Sequence, residues 1–155
     1  MIRITKEADY AIMLLAHMAE RPLGEVHTAR VISTWSGIPL PMVSKILRSL
    51  ARGELVRSHR GVSGGYSLDR SPQDTSVAEV IRALEGPISM VQCGVEPGAC
   101  EHESLCPTRV NWARLSRELE QALERVPISE MLPRSLGGRL VTSCEDGAST
   151  LTQVT

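Results

Sequence analysis

Apolar residues recur at helical spacing almost from the start of the chain. Ala8, Ile12, Leu15 and Ala19 fall on one face of a stretch that Thr5 can cap and Pro22 and Gly24 end, which predicts a helix over residues 5–20. Thr28 to Trp35, with Ala29, Val31 and Ile32, predicts a short second helix stopped near Gly37. Pro39 and Pro41 stand at the front of a third, where a missing amide hydrogen is harmless. Val43, Ile46, Leu47 and Leu50 line its inner face to about Arg52, and Gly53 closes it. The period then drops to two. LVRSHRGVSGGYSL, residues 55–68, reads as two short strands around a tip at Gly61, Gly64 and Gly65, a β-hairpin with a longer loop.

Helical spacing returns over 76–85, where Val77, Val80, Ile81 and Leu84 precede Gly86 and Pro87. A cysteine-bearing loop over 93–106 leads into a long helix from Pro107 to Arg125, striped by Trp112, Leu115, Leu119, Ala122 and Val126. Pro127 breaks it, and Ile128 to Leu132 can add one turn. From Pro133 the chain is rich in Gly, Ser and Thr with little apolar periodicity, so a disordered tail is expected over 133–155. The predicted fold is mainly α with a small β-wing. It comprises a winged helix–turn–helix over 1–86, a cysteine loop over 87–106 and a long dimerisation helix over 107–132.

Composition narrows the function. At 155 residues and 42% apolar, the chain suits one compact domain with appendages. Only two Trp, two Tyr and no Phe are present, too few rings for the base-stacking platforms that hold single strands or RNA. No apolar run approaches the roughly 20 residues that span a bilayer, and Glu7 and Asp9 interrupt the start where a secretory leader would be apolar. A cytoplasmic protein with reduced cysteines is expected, so metal binding or redox sensing outranks a disulfide framework. Neither a nucleophile–base pair nor a phosphate-cradling loop is recognisable, and Gly64–Gly65 lies in a hairpin rather than a strand-to-helix turn. The sequence does not read as an enzyme.

The net charge of −1 conceals an asymmetry: residues 1–70 hold ten Lys/Arg against six Asp/Glu, and residues 71–130 five against ten. The basic half contains the third helix, where Lys45, Arg48 and Arg52 follow at i, i+3 and i+7 opposite the apolar stripe. A helix fits the major groove of duplex DNA and reads bases near its N-terminus. Ser44 and Lys45 are placed for that, and Arg48 and Arg52 for phosphates. Arg57, His59 and Arg60 beside the wing glycines suit the neighbouring minor groove or backbone. The stripe on the long helix is expected to pair with a second copy, giving a homodimer matched to two half-sites.

Cys93, Cys100 and Cys106 are separated by six and five residues, and Gly94, Pro97 and Gly98 should let the loop curl until the thiolates converge. Structural zinc prefers tight Cys-x-x-Cys knuckles and four protein ligands, so this spacing favours an iron–sulfur cluster over zinc. His102, inside the loop, is one candidate fourth ligand. Cys144 lies in the tail and is read as spare.

RITKEADYAIMLLAHMA at the start, the RGVSGGYSL wing and the three-cysteine loop before a long helix resemble the IscR/NsrR-type winged-helix regulators over residues 1–132. The resemblance implies a dimeric transcription factor, expected to act as a repressor, that senses iron–sulfur status, redox state or nitric oxide through its cluster. CPTRVNWARL, with Asn111–Trp112, is most similar to the branch that regulates the SUF iron–sulfur assembly operon. IscR-like members carry a histidine three residues after the last cysteine, where this chain has Arg109, which stays protonated and cannot serve. In NsrR-like members a carboxylate near the start of the first helix, from the partner subunit, completes the site; Asp9 matches it. The fourth ligand is thus open between Asp9 and His102, and the set suits a 2Fe–2S cluster first and a 4Fe–4S cluster as the alternative. Pro39 and Pro41 replace serines that IscR-like members carry at the DNA-reading end of the third helix, which implies a different operator. Other readings remain: a repressor of other genes responding to nitric oxide or redox state, or a thiol or zinc switch without iron.

Overall fold

The computed structural model describes residues 4–96 and 98–131. The tail expected over 133–155, and Cys144 within it, lie outside the described residues. Helix α1, Lys6–Ala19, begins where the Thr5 hydroxyl accepts the Ala8 amide at 3.2 Å. Helix α2, Ala29–Ser36, begins where Thr28 accepts from the Val31 amide and ends at Gly37, whose φ of 69° is left-handed. Each side-chain cap satisfies an amide that the helix cannot, worth about 1 kcal/mol. The turn through Gly37 delivers the chain to α3, Leu40–Arg52, with Pro39 as its N-cap. Ala11, Leu14 and Leu15 of α1, Ile32 of α2, and Val43, Ile46, Leu47 and Leu50 of α3 form one buried cluster. His17 is buried, because it shares the inward face with Leu14 and Met18.

Strands β1, Arg57–His59, and β2, Gly65–Ser67, pair antiparallel with Arg57 opposite Ser67, Ser58 opposite Tyr66 and His59 opposite Gly65. The backbone of His27 bonds to Tyr66 in both directions (2.9 and 2.8 Å), fastening the hairpin to the segment before α2. Gly65 is required at that crossing: a Cβ there would lie 2.7 Å from the His27 carbonyl carbon. These elements form a winged helix–turn–helix.

Helix α4, Val77–Glu85, opens with a capping box in which Ser76 and Glu79 satisfy each other's amides. Burial pushes the Glu79 carboxyl up, but the Ser76 amide and Arg70 outweigh it and hold it below its ordinary value. The cysteine loop follows, then α5, Arg109–Glu124, and a short α6, Ile128–Met131. Arg82 of α4 ties to Glu124 and Glu120 of α5 at 2.9 and 2.6 Å. The stripe expected to be left over for a second copy divides. Val126 packs on the chain's own core, with Leu123 from beside the stripe, and Ile128 is fully enclosed in it, whereas Trp112 and Leu115 remain 38% and 48% exposed. Among the described residues no helix is long and apolar enough to cross a membrane.

Candidate functional site

One end of the molecule is built from α3 and the wing. The buried stripe of α3 turns Lys45, Arg48 and Arg52 outward, and all three are exposed. With Ser58 and Tyr66 of the hairpin they line a shared cleft of about 620 Å³. Pro41 and Ser44 sit one turn nearer the α3 N-terminus, Pro41 exposed and Ser44 half-buried. The cations differ in freedom. The Lys45 ammonium bonds to Glu7 of α1, whereas Arg48 spends only its Nε on the Ser44 carbonyl, at 3.0 Å, and Arg52 bonds the Ser49 hydroxyl at 3.0 Å. A cationic face of this shape can lie against a duplex with phosphates on either side of the helix.

The wing residues separate into two groups. Alternation along β1 puts Ser58 on the cleft side and Arg57 and His59 on the opposite face. There they line a second hollow with Leu23, Gly24, Ser67 and Asp69. Arg57 Nε is 2.8 Å from Asp69 Oδ2, and His59 Nε2 is 2.8 Å from the Ser67 hydroxyl. Arg60 stands at the tip, exposed, and among the described residues forms no ion pair. Sequence reasoning grouped Arg57, His59 and Arg60 as one cationic tip; it missed Asp69, whose ion-pair partner Arg57 comes from the other strand and leaves no local signal.

The cysteine loop joins α4 to α5 and is anchored at both ends. Ser116 of α5 accepts the Met90 amide at 3.0 Å, and Glu103 accepts from the Gly98 amide and pairs with Arg109 at 2.9 Å. Arg109 therefore acts as a clasp across the loop. Cys93, Cys100 and Cys106 are free thiols, the second exposed and the others half-buried. Hydrogen bonding with Thr108, helped by Arg109, holds the Cys106 thiol below its ordinary value.

Three thiols on one loop suit a thiolate-bound iron–sulfur group in donor type and are one ligand short of a complete set. Their convergence is not observed: among the described residues no three His, Cys, Asp or Glu side chains gather closely enough to hold a metal ion. The reason is local. Cys93 lies in the 3-10 turn Gln92–Gly94, Cys100 precedes a turn closed by Glu103 N to Cys100 O at 3.0 Å, and Cys106 caps the turn Glu103–Leu105. Each turn sets its own thiol direction. His102 is exposed beside the last turn, and Asp9 is exposed in the first turn of α1.

Known proteins resemble this chain in sequence and in fold. The family model described as "Rrf2: Iron-dependent Transcriptional regulator" matches residues 4–134. A putative HTH-type transcriptional regulator, rrf2-like, of Rhodobacter capsulatus is 31% identical over 137 residues, covering 83% of this chain and 91% of that protein. The HTH-type transcriptional regulator IscR of Sodalis glossinidius is 30% identical over 132 residues, covering 84% of this chain and 79% of its own. Among solved structures, CymR, the global cysteine regulator of B. subtilis, superposes with a TM-score of 0.61 at 23% identity, covering 84% of this chain and 96% of that one. Each is named as a regulator and none as an enzyme.

Proposed function

We propose that this chain, which belongs to the Rrf2 family of transcriptional regulators, represses transcription as a homodimer whose grip on operator DNA changes with an iron–sulfur cluster on the cysteine loop. The observation that carries the reading is the placement of three free thiols on one loop clasped between α4 of the DNA-binding unit and α5. Cys93, Cys100 and Cys106 would hold the cluster, 2Fe–2S before 4Fe–4S, with His102 or the partner subunit's Asp9 as the fourth ligand. When bound, a cluster supplies an oxidisable, labile inorganic centre. The chain's own residues do the rest. Arg82 and Ser116 couple the loop's footing to α4 and α5, so a change in loop shape reaches the helices that set the spacing of two recognition helices. Trp112 and Leu115, exposed on α5, supply the apolar face for the second copy. Pro41, Ser44 and Lys45 would read base edges, Arg48 and Arg52 would hold phosphates, and the wing would reach the adjacent groove. The likeness of CPTRVNWARL to the SUF branch supports iron–sulfur assembly genes as targets.

Anaerobic native mass spectrometry tests the cofactor. The dimer should carry iron and inorganic sulfide, with both lost in Cys93→Ser and one of Asp9→Ala and His102→Ala. Protein that retains zinc alone, or neither iron nor sulfide after reconstitution, overturns it. A second reading, a thiol switch without iron, is favoured by the three separate turns that keep the thiols apart and by the acidified Cys106 thiol. Its mark is a DNA affinity that changes on oxidation of iron-free protein.

A further inference from the structure

The outer face of the wing carries a hydrogen-bonded chain that engages Arg57 and His59 within the protein. Arg57 Nε donates to Asp69 Oδ2 at 2.8 Å, and the Ser67 hydroxyl donates to Asp69 Oδ1 at 2.5 Å. Ser67 has one hydroxyl hydrogen and gives it to the carboxylate, so towards His59 it can only accept. His59 must then carry its hydrogen on Nε2, 2.8 Å away. Ser67 is fully buried, which shields the centre of the chain from water. The hairpin needs such ties. Its strands are three residues each, and a two-stranded hairpin is marginal by itself. The His27–Tyr66 backbone bridge fixes β2 to the segment before α2, and this chain of side chains adds a tie between the two strands.

A carboxylate beside a DNA face repels phosphate unless its charge is taken up. Here it is taken up by Arg57, which in turn is turned away from the cleft that Lys45, Arg48 and Arg52 line. We propose that Asp69 is a positioning residue for DNA recognition: it sets the pitch of the wing through Ser67 and His59 while holding Arg57 off the phosphate backbone. The inference rests on the reading of α3 and the wing as the DNA face. It assigns opposite effects to one residue, since loss of Asp69 should impair sequence discrimination and yet strengthen indiscriminate binding.

The test uses the full chain, a duplex that the unsubstituted protein selects from a random-sequence pool, and a scrambled duplex. In Asp69→Asn the ratio of the two affinities should fall roughly tenfold, the factor carried by one charge-assisted hydrogen bond. The scrambled duplex should bind more tightly, with a salt slope steeper by about 0.9 as Arg57 is released to a phosphate. Ser67→Ala, which breaks the tie to His59 but leaves the Arg57–Asp69 pair, should lower the ratio without steepening the slope. Melting curves keep both assays on folded protein; should Asp69→Asn fail to fold, Ser67→Ala decides. An unchanged ratio in the folded variants, or tighter binding of both duplexes by one common factor, overturns the proposal. Arg48→Ala separates the two levels: if it weakens binding while the ratio stays fixed in the other variants, only the positioning role falls. If Arg48→Ala also changes nothing, the DNA-face reading falls with it.

Discussion

Glu7→Gln should tighten DNA binding while loosening the fold. Lys45 is exposed on α3, but its ammonium is engaged by the Glu7 carboxylate across the α1–α3 contact, with side chains 59% and 32% exposed. A pair of this exposure is worth about 0.2–1 kcal/mol, with the half-covered carboxylate placing this one towards the upper end. To reach DNA, Lys45 must give that up. Removing the charge of Glu7 returns it, which corresponds to a gain of up to about fivefold in affinity. If the freed Lys45 ammonium also neutralises a phosphate beside the base edge it reads, the salt slope steepens by about 0.9 as well, so raising salt from about 50 to about 200 mM should shrink the gain roughly 3.5-fold. Stability moves the other way. Glu7 lies in the first turn of α1, where a negative charge meets the helix dipole, and its loss should cost about 0.3–1 kcal/mol. Fluorescence anisotropy at the two salt concentrations, beside a thermal melt, reads both signs. Weaker or unchanged binding by Glu7→Gln at the lower salt would refute the claim that Glu7 competes with DNA for Lys45.

Three further outcomes follow from the packing. Leu47→Ala, at a fully buried position of α3, should destabilise the fold by about 2–5 kcal/mol, seen as a lower urea midpoint with an unchanged slope. Glu79 has a folded-state pKa below its unfolded one, so its contribution is present above the unfolded value and lost as pH falls through the folded value; Glu79→Gln should therefore flatten the acid limb of a plot of Tm against pH and leave a wild-type-like slope near neutrality. Gly65→Ala would drive a methyl into the His27 backbone, so exchange protection at the Tyr66 amide should drop and DNA affinity fall by about tenfold, while the α3 amides stay protected.

How far the sequence could be read depended on the range of the signals. Thr5 and Thr28 act through amides three residues on, and Gly37 through its own φ, so the helices of the DNA-binding unit are legible from local residue types. Ser76 and Glu79 form an equally local capping box, a Ser-x-x-Glu pattern that sequence reasoning passed over. Lys45–Glu7, 38 residues apart, and the Arg57–Asp69 tie arise only when α1 meets α3 and β1 meets β2, and nothing in the residue pattern marks them. The long helix shows the limit of periodicity. The stripe is not uniform in its surroundings, because α6 returns to the core and Val126 packs there while Trp112 and Leu115 stay outside. In the cysteine loop, glycines suggested freedom to converge, yet each cysteine sits in or beside its own turn, around Gln92, Cys100 and Glu103, and no three ligands gather among the described residues.

Operator affinity measured on a single anaerobic preparation, before and after a chelator strips its iron, bears most directly on whether the loop governs the grip on DNA. The account expects a difference of at least several-fold between the two states, absent in Cys100→Ser. Equal affinities in the loaded and stripped protein would contradict it.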